Sequence, residues 1–435
     1  MLTNPFTPSE IASQPDEFFG RSRELETLER SLMQGSVAIQ GAIGIGKSSL
    51  LGRALLMMEG FQSNHRAQAL VAIAHKDIRT VDEAARLLLE QLLTVDERQD
   101  IITFKVGSLF EKKSAEVCRN FVDGRHLEVL KRIVEREYAN AFLRDIEMLI
   151  IAIDEVDKCP VPIARLIRSV VTHAQQQGVK KLRFLIAGVS PSFQAMVDED
   201  PGIARFFFKT IGLEPMTPEE ATDLIETKLG TVCDKADQEG VQLTIHPSVT
   251  PRIVALSGGH PHLVQLLGSH VVEHENDDPD GVIDERDLYN SLRTICYEVR
   301  GHVYESTRHM LELEGKLDCL NELLQSAPPG FPTRISRVGA LDVATETEIQ
   351  WLVDHNILSH LPDAHYGLVD EFLKMRLFFD QTESAPEQQD LEREIIHNVS
   401  IEEFTEAELF EGTDSDPYRR DAFADPPKTP GPEDR

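Results

Sequence analysis

Residues Gly41-Ala42-Ile43-Gly44-Ile45-Gly46-Lys47-Ser48 fit the spacing G-x-x-x-x-G-K-[ST]. Glycines at these places let successive backbone N–H groups curl around phosphate oxygens where a helix begins and its dipole favours anions. Lys47 is then placed to neutralise β- and γ-phosphate charge and Ser48 to ligate Mg²⁺, with Ser49 opening the helix that follows. Further on, the apolar run Leu149-Ile150-Ile151-Ala152-Ile153 ends in Asp154-Glu155. A carboxylate at Asp154 suits Mg²⁺ held through its water shell, and Glu155 suits the orientation or activation of an attacking water. The chemistry so assembled is that of Mg²⁺ and ATP. The adjacent Asp157-Lys158 reads as a surface loop.

These residues need a sheet to hold them. Ser36–Gln40 is a short apolar run before the glycine loop, and Leu50, Leu51, Ala54, Leu55 and Met58 keep helical spacing after it. Further strands are predicted at Ala69–Ala74, Met148–Ile153, Leu182–Ala187 and Lys209–Leu213, with helices at Glu24–Met33, through Ala84, Leu87, Leu88 and Leu92, and at Leu127–Leu143. Strand and helix alternating in this way predict a parallel sheet. Residues 94–124 show a mixed pattern with no assignment.

Thr217-Pro218-Glu219-Glu220 combines an N-cap threonine, proline at the first helical position and a capping-box glutamate. From there helical patterns dominate to Val299. Ile357–His360 and Tyr366–Val369 flank Pro362-Asp363-Ala364, two short strands around a turn after helices, as in a winged helix. From Gln381 the chain is rich in Glu, Asp and Pro and reads as a disordered acidic tail, with a short helical pattern near Leu391–Ile396. Apolar residues such as Ile401, Phe404 and Phe410 among its carboxylates make it a candidate docking strip. The organisation expected is therefore 1–215 an α/β P-loop ATPase domain, 216–300 a helical lid, 301–380 a winged-helix-like domain and 381–435 the tail.

With 435 residues, 41% hydrophobic and 27% charged, the chain falls in the globular class, and collagen-like or wholly disordered chains are excluded. Lys and Arg number 44 against 74 Asp and Glu, a net charge of -30, which disfavours coating of nucleic acid. No apolar run reaches the length of a membrane span and no basic-then-apolar leader opens the sequence, so a cytoplasmic protein is expected. The five cysteines are scattered without a C-x-x-C, which predicts free thiols.

Phe19-Gly20-Arg21-x-x-Glu24-Leu25, the P-loop, Ile153-Asp154-Glu155-Val156-Asp157-Lys158 and Ile211-Gly212-Leu213-Glu214-Pro215-Met216-Thr217 together resemble the AAA+ ATPases of the origin-recognition and STAND groups, over about residues 15–300. The resemblance implies that Gly20 and Arg21 lie near the adenine. It also implies a polar sensor at Ser190 and an arginine finger at Arg205 that reaches a neighbouring subunit's γ-phosphate. Where an origin-recognition lid has a sensor arginine, this chain has Gly258-Gly259-His260-Pro261-His262. That Gly-x-Pro resembles STAND proteins and implies nucleotide contact through Pro261 and its neighbour His262. A histidine is fully charged only below about pH 6.5, so a slow, nucleotide-controlled switch is expected rather than a fast motor.

In the winged-helix-like region, Arg308, Lys316, Arg334, Arg337, Lys374 and Arg376 face roughly twice as many acids, and the helix Glu346–His355 carries three acids and no Lys or Arg. The expected partners are therefore other copies of the chain or a protein effector, with no membrane. An ATP-dependent DNA loader or transposition regulator is the alternative, and a scaffold that retains nucleotide without turnover a third.

Overall fold

The computed structural model describes residues 2–59, 67–96, 101–104, 124–142, 148–328, 331–361 and 364–382. Residues 383–435 of the expected acidic tail, with the Leu391–Ile396 pattern, and Cys118 fall outside these residues, whereas Gln381 and Thr382 end the last helix. In chain order the first elements are α1 (Ser22–Gln34), β1 (Ser36–Gln40), α2 (Lys47–Glu59), β2 (Ala67–Ile73), α3 (Val81–Leu92), β3 (Leu93–Asp96) and β4 (Ile101–Phe104). They continue with α4 (His126–Phe142), β5 (Met148–Asp154), α5 (Pro160–Gln176), β6 (Leu182–Gly188), α6 (Ser190–Glu199) and β7 (Phe207–Gly212).

The five-stranded sheet has the order β2-β5-β6-β1-β7, with every described pairing parallel. All seven residues of β5 are buried, because this interior strand is covered on both faces. Leu149, Ile151 and Ile153 pack with α3, α4 and α5, whereas Ile150 and Ala152 pack with α1 and α2. The period of two thus splits one apolar run between two cores and leaves Asp154 at its C-terminal end. In the stretch without a sequence assignment, β3 and β4 form an antiparallel hairpin.

Then come α7 (Pro218–Gln238), β8 (Thr244–Ile245), α8 (Val249–Ser257), α9 (Pro261–Asp277), β9 (Val282–Ile283) and α10 (Glu285–Thr294). The expected capping box opens α7: Thr217 Oγ1 accepts from the Glu220 N–H at 3.2 Å and Glu220 Oε2 accepts from the Thr217 N–H at 3.0 Å. The strands do not stop altogether here, since β8 and β9 make a two-residue parallel pair too short for hydropathy to reveal.

After a π-helical turn at Ile295–Val299, the C-terminal elements are α11 (Gly301–Leu313), α12 (Leu317–Ser326), β10 (Ile335–Ser336), α13 (Arg337–Val343), α14 (Glu346–Asp354), β11 (Leu358–Leu361), β12 (His365–Leu368) and α15 (Glu371–Thr382). Strands β11 and β12 form the hairpin foreseen around residues 362–364, and β10 joins it in an antiparallel sheet of order β10-β12-β11. One continuous core runs from Phe6 through Leu229 and Val264 to Leu352 and Phe379, so the lid helices and the C-terminal elements are packed as a single body.

Candidate functional site

The loop between β1 and α2 carries Gly44 at φ 79° and Gly46 at φ 97°. Both values lie in the left-handed region that side chains avoid. A Cβ on Gly46 would meet nothing within 4 Å, so its glycine serves the backbone turn alone. A Cβ on Gly44 would come within 2.9 Å of His260 Cε1 and 3.1 Å of His262 Cβ, so there the lid also demands glycine. Lys47 Nζ donates to the carbonyls of Gly41 (3.0 Å) and Ala42 (2.7 Å), which leaves one of its three protons uncommitted. Burial lowers the Lys47 pKa, against the attraction of Asp157, Asp154 and Glu155, in that order of strength.

Asp154 is buried at the end of β5, and its Oδ1 accepts from the Glu155 N–H at 2.8 Å, which fixes the carboxylate plane. Glu155 takes a left-handed backbone, φ 53°, and its side chain is exposed. Such strain at a non-glycine residue costs about 1–3 kcal/mol and is held by its surroundings. Here the strained residue turns the chain into the short helix Val156–Lys158, closed by the Lys158 N–H on the Glu155 carbonyl at 3.0 Å.

A cavity of about 270 Å³ brings these groups together. Gly44, Gly46, Lys47, Ser48 and Ser49 line it together with Asp154 and Glu155 and with Pro261 and His262 of α9. Ile43 also lines it. Gly41, Ala42 and Ile45 instead line a larger cavity, about 1030 Å³, on the far side of the loop against the C-terminal elements.

Two parts of the lining were not expected from the sequence. Asp157 and Lys158, read as a surface loop, face the cavity because the turn after Glu155 brings them back. The segment Thr7–Ala12 forms a further wall. It belongs to an N-terminal strap that Phe6 anchors in a notch at Gly268, where a Cβ would approach the ring to 2.4 Å. The Thr7 N–H donates to Gln265 Oε1 (3.2 Å), Lys228 Nζ donates to the Pro5 carbonyl (2.6 Å) and the Ala12 N–H donates to Ser49 Oγ (3.2 Å). Only Phe6, an apolar residue outside any periodic run, hinted at this in the sequence.

The lid reaches the site through two neutral histidines. A carbonyl can only accept, so His260 Nε2 carries the proton it gives to the Ile43 carbonyl (3.0 Å), and His262 Nδ1 carries the proton it gives to the Pro8 carbonyl (3.0 Å). Burial takes His260 down to about pKa 3, aided by His262, and burial also lowers His262. With its proton committed to Pro8, His262 offers a bare nitrogen lone pair, which accepts hydrogen bonds and adds no charge for phosphate.

The remaining residues singled out in the sequence lie outside the lining of the smaller cavity. Gly20 and Arg21 join α1 to the start of α7. The Arg21 N–H donates to Glu220 Oε1 at 3.0 Å, and its guanidinium bonds the Glu214 carbonyl and Glu24. A Cβ on Gly20 would lie 2.7 Å from Glu220 Oε1, which accounts for glycine at that position. Ser190 opens α6 and lines the larger cavity, whereas its neighbour Val189 lines the smaller one. Arg205 is exposed on the turn Ile203–Phe206 and lines a cleft with Gln34, Gly35 and Ser36. Because Ser36 pairs with Phe207 in parallel strands, Arg205 stands at the opposite rim of the sheet from its own P-loop. The length of β1, roughly 17 Å at ~3.3 Å per residue, separates the two rims.

A five-stranded parallel sheet with a glycine loop leading into α2 and an acid pair at the end of β5 defines a P-loop NTPase. The model of one family, described as Novel STAND NTPase 1, matches residues 6–259, more than half of the 435, and the chain belongs to that family. Among solved structures the chain is similar to the Walker-type ATPase PABY2304 of Pyrococcus abyssi, with 15% identity and a TM-score of 0.55 over 85% of this chain and 99% of that one. It is also similar to the ORC2 protein of Aeropyrum pernix in its ADPNP-ADP complexes, with 12% identity and a TM-score of 0.50 over 91% and 96% of the two chains. At these identities the likeness establishes the fold alone, that of a P-loop NTPase. No curated protein sequence matches the chain.

Proposed function

We propose that the protein is a Mg²⁺-dependent, ATP-binding switch of low turnover that assembles with copies of itself or with a protein partner. The observation that carries this reading is the shared cavity: the P-loop, the acid pair Asp154-Glu155 and the lid residues Pro261-His262 all line it. The donor set suits the ligand. Gly44, Gly46 and the first turn of α2 line one space, and the hydroxyl and carboxylate offered by Ser48 and Asp154 suit Mg²⁺, which keeps several waters and phosphate oxygens in its shell. The Aeropyrum ORC2 structure, with ADPNP and ADP, is a relative of this fold that holds such nucleotides.

In this reading Lys47 and the loop N–H groups hold the β- and γ-phosphates, and Ser48 and Asp154 orient the metal. Bound Mg²⁺ supplies charge neutralisation at the transferred phosphoryl group. Glu155 orients the attacking water and takes its proton, and Arg205 of a neighbouring copy completes the charge balance. The lid histidines are neutral and add no positive charge of their own, which supports slow turnover. Gly20 and Arg21 serve the nucleotide by holding α1 to the β7–α7 connection, and Ser190 acts on the side of the larger cavity.

The C-terminal elements favour a protein partner over DNA. Lys316 pairs with Glu348, Arg308 with Glu312 and Asp380, and Arg376 with Glu305 and Asp380. Arg337 bonds His360, and Lys374 bonds Thr333. The helix α14, which stands where a winged helix would enter a groove, carries Glu346, Glu348 and Asp354. Calorimetric titration with Mg-ATP tests the reading. Binding is expected in the wild type and lost in Lys47→Ala, and a wild type that takes up no ATP overturns it.

A further inference from the structure

The charge inventory of the cavity is uneven. Its lining holds four carboxylates, Glu10, Asp154, Glu155 and Asp157, against two ammonium groups, Lys47 and Lys158. The two lid histidines are neutral, so neither adds a positive charge. Lys47 has already given two of its protons to loop carbonyls. A triphosphate brought into this space needs a second cation near the acid pair, where the terminal phosphate belongs.

Lys158 lines the same cavity as the acid pair. The left-handed backbone of Glu155 and the short helix after it carry the chain back on itself, so a residue three positions beyond the acid lines the same cavity. Its ammonium stands 3.8 Å from Asp157, too long for a hydrogen bond, with the side chain 47% exposed. A pair of that kind contributes at most about 1 kcal/mol and does not hold the lysine in place. Asp157 also attracts Lys47, more strongly than Asp154 or Glu155 does, and lines the same cavity.

We propose that Lys158 is a second phosphate-binding residue of this site, supplied in cis by the turn after Glu155 and directed to the terminal phosphate of a nucleoside triphosphate. This rests on the nucleotide-binding reading above. The lysine reports the γ-phosphate from within one chain, and so discriminates triphosphate from diphosphate before any neighbour contributes an arginine.

The test is equilibrium binding of Mg-ATP and Mg-ADP to the full chain, in the wild type, Lys158→Ala and Lys158→Arg, with the thermal midpoint of each variant measured without nucleotide. Removal of one charge-assisted contact should weaken ATP about ten-fold and ADP less than about two-fold, with Lys158→Arg restoring most of the loss. The exposed side chain predicts unchanged midpoints. Equal weakening of both nucleotides, or no weakening of either, overturns the inference while leaving the functional reading in place. A wild type that binds no ATP removes both.

Discussion

The Nε2 proton of His260 is donated to the carbonyl of Ile43 at 3.0 Å, so the lid grips the phosphate loop by its own backbone. Replacing His260 by Ala removes this part-buried hydrogen bond, at a cost of about 0.5–1.5 kcal/mol. His260→Gln, which keeps a donor, is expected to retain more of the stability. Denaturant midpoints of the two variants check this, and equal losses would mean that the hydrogen bond contributes nothing.

Two buried groups oppose one another on acidification. His260 is neutral in the fold, with its pKa brought from 6.5 to about 3, so its contribution is complete above pH 6.5 and is lost as pH falls towards 3. Burial pushes the Glu371 carboxyl up from 4.5 to about 7, so its contribution is complete below pH 4.5 and is lost as pH rises through 7. Between pH 4.5 and 6.5 each changes stability by up to about 1.4 kcal/mol per pH unit, with opposite signs. Unfolding midpoints from pH 6.5 to 5 should therefore rise in His260→Gln and fall in Glu371→Gln, relative to the wild-type profile.

Gly259 holds φ 69°, and a Cβ there would stand 2.3 Å from the Met216 carbonyl oxygen. The Met216 N–H donates to the Gly259 carbonyl at 2.8 Å, so this contact joins the lid to the connection after β7. Gly259→Ala is expected to destabilise by at least about 2 kcal/mol through strain and displacement of that joint. Nucleotide affinity should drop with it. Gly240, at φ 76° with nothing within 4 Å, provides the control: alanine there adds backbone strain alone.

Glu155→Gln keeps the side chain's shape and removes its basicity. ATP affinity should stay within about three-fold of wild type while phosphate release falls by at least about 100-fold, the usual weight of a general base. Single-turnover phosphate release checks it, and retained turnover would move the water-activating role elsewhere.

Arg205→Ala is expected to leave ATP affinity unchanged, because Arg205 sits at the far rim of the sheet from its own loop. In the proposed assembly it removes the dependence of phosphate release on protein concentration. Solution mass in Mg-ATP, read on the Glu155→Gln background with and without Arg205→Ala, separates loss of assembly from loss of chemistry.

The sheet was legible because β5, β6 and β1 are buried on both faces and so read as continuous apolar runs, and because Gly44, Gly46 and Lys47 have a spacing tied to one backbone shape. The cavity's other walls were not. Pro8 and Lys158 reach it through the strap and through the turn at Glu155, neither of which leaves a periodic trace. Arg21 carried a motif, yet its guanidinium is taken up by Glu214 and Glu24, a choice that depends on where α7 starts in space. His262 lines the cavity beside the loop, but its protonation is set by burial and by Pro8, and neither is visible in the order of residues.

The N-terminal strap also sets a limit on travel. Pro8 is fastened to His262 of the lid and Ala12 to Ser49 of α2. The four residue steps between them can extend to no more than about 14 Å. While both fastenings hold, the strap acts as a leash: α9 can swing away from α2 only as far as this short cord allows. Any wider opening has to release Pro8 or Ala12 first.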